Sequence, residues 1–178
     1  KGVGQNIAKS IAKLAGPQVA DLLWHLPTGL IDRRFAPKVA GAPDRSVATL
    51  TVTVDAHLPP YHARLPYKIR CSDETGSLHL VFFNMRAEYL KKTLPEGEVR
   101  VVSGKVEYYD GTPQMAHPDH IATTAELDRV CVVEPVYPLT AGLSLKVLIK
   151  AIHGALDHAP ELGEWIDPAF RRRQGWPS

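Results

Sequence analysis

Two phenylalanines stand side by side near the end of the segment Asp73-Glu74-Thr75-Gly76-Ser77-Leu78-His79-Leu80-Val81-Phe82-Phe83-Asn84. No extended chain can bury both of them in one core. Side chains alternate across a strand, so Leu78, Leu80 and Phe82 face one way while His79, Val81 and Phe83 face the other. One ring fills a core and the other looks outward. An outward ring has two readings: cover for a neighbouring loop or helix, or a platform on which a nucleic-acid base stacks. Just upstream, Asp73 to Gly76 predicts a hairpin turn with glycine at a position of positive φ.

Period-two patterning recurs on both sides. Ala48, Leu50, Val52, Val54 and Ala56 alternate with Thr49, Thr51, Thr53 and Asp55, which predicts a half-buried strand starting near Ser46. After a proline-rich loop from His57 to Pro66, Tyr67, Ile69 and Cys71 alternate with Lys68, Arg70 and Ser72, so the second strand has a basic outer face. Arg86 to Leu94 predicts a short helix. Val99 to Tyr109 is a further strand whose apolar phase slips between Val101 and Val102, as a bulge there would produce, with Gly104 at the kink. Tyr109-Asp110-Gly111-Thr112 predicts a second hairpin, Gln114 to His117 the return strand, and Val130 to Tyr137 the last strand. Fifteen prolines and thirteen glycines suit short strands joined by turns. The fold class expected is mainly β with flanking helices: a five-stranded Greek-key barrel of the OB type over 46–138. Residues 1–45 precede it as a small helical pair and linker, and 139–178 follow as an amphipathic helix and linker.

In the first segment, Ile7, Ile11 and Leu14 predict one helix, and Val19, Leu22, Leu23 and Leu26 a second, started by Pro17 and stopped by Pro27. Gly2-Val3-Gly4 opens the first helix either as a plain start permitted by glycine or as a hairpin whose backbone N–H groups approach a phosphate. Thr28 to Arg45 shows little periodicity and reads as a linker or extended wrap. In the last segment Ser144 caps a helix whose Leu145, Leu148, Ile149, Ile152 and Leu156 form an apolar stripe that something must cover.

Chemistry is excluded more readily than assigned. Gly104-Lys105 is followed by valine and lacks the upstream glycine of a phosphate-cradling P-loop, so this chain is not expected to hydrolyse ATP. There is no H-E-x-x-H and no G-x-S-x-G. His117-Pro118-Asp119-His120 lacks the helical turn and further ligands that a metal site needs, and no metal is expected. Cys71 and Cys131, each inside a predicted strand and far apart in sequence, read as reduced core thiols. The chain is expected to be soluble and cytoplasmic, because no apolar run approaches the roughly eighteen residues that span a bilayer and no signal peptide opens it. The net charge of +2 is too mild to identify a polyanion partner, but its distribution is informative. Residues 1–45 carry seven Lys/Arg against three Asp/Glu, whereas residues 111–170 carry three against eight. Nucleic acid should therefore favour the first and middle parts.

Taken together, Gly2-Val3-Gly4, Asp21-Leu22-Leu23-Trp24-His25-Leu26-Pro27, Asp32-Arg33, Asp73 to Gly76, Val81-Phe82-Phe83-Asn84, Gly104-Lys105, Gln114-Met115-Ala116-His117-Pro118 and Pro135-Val136-Tyr137-Pro138 resemble, in order and over nearly the whole chain, the N-terminal wedge region of the RecG family of bacterial ATP-dependent DNA helicases. The resemblance implies an OB-fold wedge that binds branched DNA, replication forks and Holliday junctions, in repair and recombination, and splits the duplex without a motor of its own. It implies that Phe82 and Phe83 stack on bases where the strands part. Strand phase favours Phe83, with Phe82 joining only if a bulge turns it outward. Phase also nominates Lys68, Arg70, Arg86 and Lys105 as phosphate contacts beside Gly2 and Gly4, and leaves Tyr89 as a stacking candidate or a helix contact. The family usually has an aromatic where Leu30 stands, which leaves a ring contact there open. The expected partners are branched DNA and the motor domains of the same parent chain, to which ATP and Mg2+ would belong. A monomer without membrane attachment, in the cytoplasm near the nucleoid, is expected. Two other classes stay open: a stand-alone OB module for single strands, and a protein-interaction barrel.

Overall fold

The computed structural model describes residues 3–62, 65–161, 163 and 165–177. The chain divides into two compact units, Gly29–Val136 and the pair of flanking segments Lys1–Thr28 with Tyr137–Ser178.

The larger unit is the barrel. Strand β1 (Gly29–Asp32) precedes β2 (Val47–Leu58), β3 (Tyr67–Asp73) and β4 (Gly76–Phe82); helix α2 (Ala87–Thr93), numbered to follow the N-terminal helix described below, leads to β5 (Val99–Tyr109) and β6 (Thr112–Ala116). Strands β2, β3, β4, β6 and β5 are neighbours in that order, and β2 pairs with β5, so the five close on themselves. Every contact in the ring is antiparallel except that of β4 with β6, where Leu80 lies opposite Met115 in parallel. Leu50, Ile69, Leu78, Leu80, Val102 and Met115 fill the interior, and Leu90 of α2 and Leu94, which caps its end, join them with no exposed surface. This is a closed mixed barrel of the OB type, the fold class expected; the parallel contact of β4 with β6 is not part of that expectation.

The hairpin of β3 and β4 pairs Asp73 with Gly76. Gly76 is in strand conformation, not at positive φ. A side chain sets the turn instead: Asp73 Oδ1 accepts from the Thr75 N–H at 2.8 Å, the Thr75 hydroxyl at 2.6 Å and the Gly76 N–H at 3.1 Å, while Oδ2 accepts from the Val39 N–H at 2.8 Å. Burial pushes the Asp73 carboxyl up, but these hydrogen bonds outweigh it and hold the group below its ordinary range. In the β5–β6 hairpin Asp110 (φ 50) and Gly111 (φ 73) both lie in the left-handed region, as a two-residue type I′ turn requires.

The bulge expected between Val101 and Val102 is absent: β5 runs in continuous register against β2 from Val99 to Lys105. Both valines are fully buried because β5 is covered on both sides. Val102 faces the barrel interior, while the chain from Thr124 to Val130 packs on β5. The irregularity sits in β2, between Val54 and Ala56. Gly104 serves a close approach and not a kink, since a Cβ there would stand 3.0 Å from Met115 Sδ and 3.3 Å from the Pro118 Cα. Gly104→Val is therefore expected to cost about 1–3 kcal/mol by overpacking, read as a lower urea midpoint at unchanged slope.

Three further expectations are corrected. The stretch 28–45 is not only a linker: β1 pairs antiparallel with β8 (Val133–Val136) as a separate two-stranded ribbon. Consequently Val130–Tyr137 does not supply the barrel's last strand. Val130 ends helix α3 (Leu127–Val130), and a short strand β7 (His120–Ala122) lies on β5. Cys131 follows α3 and is only half-buried, whereas Cys71 is fully buried in β3, where burial pushes its thiol up to about 12. The ribbon is tied in by Arg33, only 3% exposed, whose guanidinium donates to Glu134 at 2.6 Å and Asp119 at 3.1 Å and approaches the Ser103 hydroxyl at 3.4 Å.

The smaller unit contains α1 (Gln5–Leu14), a 3₁₀ turn at Val19–Leu23, α4 (Leu145–Leu156) and α5 (Pro168–Gln174). The second helix expected over 17–26 is thus reduced to one tight turn, held at its start by the Asp21 carboxylate accepting from the Gln18 N–H at 2.8 Å. Ser144 is the N-cap residue of α4, without a side-chain capping bond. The stripe is covered by α1 and the 3₁₀ turn, through Leu148, Ile152 and Ala155 against Ile11 and Leu22. Leu156 lies off that stripe and is 57% exposed. Pro168 starts α5 behind Asp167, whose carboxylate accepts from the Phe170 N–H. Among the described residues no helix is long and apolar enough to cross a membrane.

Candidate nucleic-acid interface

The outward positions of β3 and β4 build one face. Pairing sets Lys68 opposite Val81 and Arg70 opposite His79. Beyond β4, Gln114 lies opposite His79 and Ala116 opposite Val81. Lys68, Arg70, His79, Val81 and Gln114 therefore share the outer side, and Phe83 continues the row past the end of β4.

Phe83 is 49% exposed and Phe82 only 3% exposed. No bulge turns Phe82 outward, so its ring belongs to the core and is not available for stacking. Between the two stands His117. Its ring meets Phe82 edge-on, with centroids 5.9 Å apart, and lies nearly parallel to Phe83 at 5.8 Å and 27°. Its Nε2 accepts a hydrogen bond from the Phe83 backbone N–H at 3.0 Å, which places the ring proton on Nδ1. Among the described residues no group of three or more His, Cys, Asp or Glu side chains that could hold a metal ion occurs, around His117 and His120 or elsewhere.

A groove of about 480 Å³ runs beside Phe83, with Val81, Lys68 and Gln114 in its wall and Tyr61 and Tyr109 at its margins. Tyr61 is 84% exposed and Tyr109 70%. Sequence reasoning missed both tyrosines. Tyr109 was open to the same argument as Phe83, because alternation along β5 sends it outward, whereas Tyr61 lies in a loop where no period applies.

The basic candidates separate by their surroundings. Lys68 and Arg70 flank Phe83's strand, and their field is visible at His79, which burial first and then these two cations hold below the ordinary histidine range. Arg70 lies 3.7 Å from Asp55, a loose pair on an exposed side chain that offsets little of its charge. Arg86 is exposed at the N-cap of α2, three residues beyond Phe83. Lys105 sits two strands from β4 and forms an exposed pair with Glu107 at 2.6 Å, so it stands farther from Phe83 than Lys68 and Arg70 do. Tyr89 projects from α2 and is 54% exposed; Leu30 on β1 is 68% exposed. Gly4 precedes α1 with an ordinary extended φ of −77 and open space around it, and Gly2 lies outside the described residues.

The barrel face thus joins an exposed ring, a groove with two further rings, and cations on adjoining strands, an arrangement that can bind a polyanion and stack on unpaired bases without covalent chemistry. A family model described as the RecG wedge domain matches residues 1–158. The ATP-dependent DNA helicase RecG of Escherichia coli is 29% identical over 160 residues, covering 88% of this chain and 23% of that protein. The protein of the same name from Haemophilus influenzae is 28% identical over 158 residues, covering 87% of this chain and 22% of that protein. A solved structure of RecG bound to a three-way DNA junction matches with a TM-score of 0.80 at 24% identity, over 98% of this chain and 24% of that one, a likeness of fold. The chain spans less than a quarter of the length of these relatives.

Proposed function

Since the chain belongs to the RecG wedge domain family, we propose that it is the DNA-binding wedge of an ATP-dependent helicase, and that the outer face of β3, β4 and β6 receives the branch point of a fork or Holliday junction. The observation that carries this reading is the half-exposed ring of Phe83 beside Lys68, Arg70 and His79. A base pair at the branch point loses its stacking neighbour when the strands part. The ring replaces that neighbour for one base, worth about 1–3 kcal/mol, and so stabilises the open form over the closed duplex. Lys68, Arg70 and Arg86 hold the backbone phosphates that aim the junction at the ring, and Tyr61 and Tyr109 offer further stacking positions to a separated strand along the groove. Each step is non-covalent. ATP, Mg2+ and directed movement belong to the motor domains of the parent protein, with this chain as the obstacle against which DNA is drawn. The setting is repair and recombination of stalled forks in the bacterial cytoplasm, and the unit acts as a monomer.

The test is a titration of this chain against a three-way fork, a matched duplex and a matched single strand at two salt concentrations. The fork is expected to bind tightest. Release of counterions from three phosphate contacts predicts a fall in affinity of roughly fortyfold for a fourfold rise in salt. Tightest binding to the plain single strand would favour a stand-alone single-strand module instead, and the groove lined by Tyr61, Phe83 and Tyr109 is the observation on that side. Binding to none of the three would leave the barrel as a protein-interaction module.

A further inference from the structure

We propose that His117 is a positioning residue for Phe83, holding its ring in the orientation that a junction base requires; this rests on the reading above that Phe83 stacks. The parallel pairing of β4 with β6 stops at Val81 opposite Ala116. At the next position the chain of β6 turns sharply: His117 takes a φ of 45, in the left-handed region that a side chain with a Cβ seldom enters. Its N–H still donates to the Val81 carbonyl at 2.9 Å. The turn brings the imidazole back over the end of β4, where Nε2 accepts from the Phe83 N–H. A side chain therefore supplies the next rung of the ladder where no strand continues. The residue after Phe83, Asn84, is also left-handed at φ 54, which asparagine tolerates more readily than most residues; at His117 the same region carries more strain. Strain of this kind persists only where surrounding contacts over-determine it.

The imidazole completes the fixing of Phe83. Against Phe82 its edge is anchored to the core, and its face lies along the Phe83 ring. The adjacent phenylalanines thus have different work: the buried one seats the histidine and the histidine seats the exposed one. A ring held in this way loses little freedom when a base stacks on it, so its binding free energy is not spent on ordering.

The experiment is a double-mutant cycle of His117→Asn and Phe83→Ala in this chain, read by fork affinity and by the fluorescence of 2-aminopurine at the branch point. Asparagine accepts the left-handed backbone while removing the ring; His117→Gly serves the same cycle if that variant does not fold. His117→Asn is expected to weaken fork binding about three- to tenfold. It should raise the 2-aminopurine signal towards that of Phe83→Ala and leave duplex affinity unchanged. In the Phe83→Ala background the same substitution should change fork affinity by less than about twofold, because the histidine acts through the ring it holds. Equal losses in both backgrounds, or an equal loss on duplex, would overturn the proposal while leaving the wedge reading intact. Fork binding indifferent to Phe83→Ala would overturn both.

Discussion

Replacing Arg33 by alanine is expected to destabilise the barrel unit by about 3–5 kcal/mol, the usual cost of leaving a buried charge without its partner. The guanidinium is 3% exposed and the Glu134 side chain 16%, so solvent cannot replace what is removed. The loss extends beyond one ion pair. The Arg33 carbonyl accepts from the Thr49 hydroxyl at 2.7 Å, which lies 2.8 Å from the Ser103 hydroxyl, so β1, β2, β5 and β8 meet at this residue. Urea unfolding measures the change. Arg33→Met combined with Glu134→Leu should recover part of the loss, since apolar replacement of both partners leaves no orphan charge. The pH dependence gives a second check. Burial pushes the Glu134 carboxyl up, but hydrogen bonds from Arg33 and His120 outweigh it and hold the group below its ordinary value. A carboxyl depressed in the folded state contributes stability that is present above its unfolded value and lost as pH falls through the folded one. With Arg33 gone, burial remains while the larger of the two opposing hydrogen bonds is removed. The acid-induced loss of stability traceable to Glu134 should shrink or reverse in Arg33→Ala, and an unchanged acid limb would count against this account.

Phe83→Ala is expected to weaken fork binding by roughly 5- to 150-fold, the equivalent of one base–aromatic stack, with duplex binding and thermal unfolding nearly unchanged. Phe82→Ala should do the reverse. Its ring is in the barrel core, so truncation is expected to cost about 3–5 kcal/mol of stability and to affect binding only through the fraction unfolded. Two neighbouring substitutions of the same chemistry thereby separate a core role from a surface role. Parallel losses of fork affinity in folded protein from both variants would show that the two rings act on DNA as a pair.

Much of the barrel is legible in the sequence where one physical rule dominates. Alternation alone places β2, β3 and β4, and the Asp110-Gly111 pair requires its turn because both residues must take positive φ. The readings fail where tertiary cover overrides the pattern. Val101 and Val102 look like a phase slip because a buried outer face removes the polar half of the alternation. The four-residue strands of the ribbon are too short to show any period, so β1 vanishes into an apparent linker and β8 is assigned to the barrel. At the candidate interface, strand phase assigns Lys68, Arg70 and Phe83 to one side, since each is local. The role of His117 depends on a pairing between β4 and β6 that spans more than thirty residues of chain, and nothing near it in sequence announces that. The pairing of Glu107 with Lys105 was visible: two residues apart on one strand, both side chains face the same way.

The ribbon of β1 and β8 also governs how the barrel bears load. Gly29 is the register partner of Val136 and Asp32 of Val133, so the chain enters and leaves the barrel unit through a single antiparallel rung, whose Cα atoms lie about 5 Å apart. Residues 29–136 are therefore a cassette with adjoining ends, suited to transplantation into another host loop or to closure by a short linker. Tension applied through those ends unzips the stem rung by rung and does not shear it, and it first meets firm resistance at the clasp where Arg33 grips Glu134.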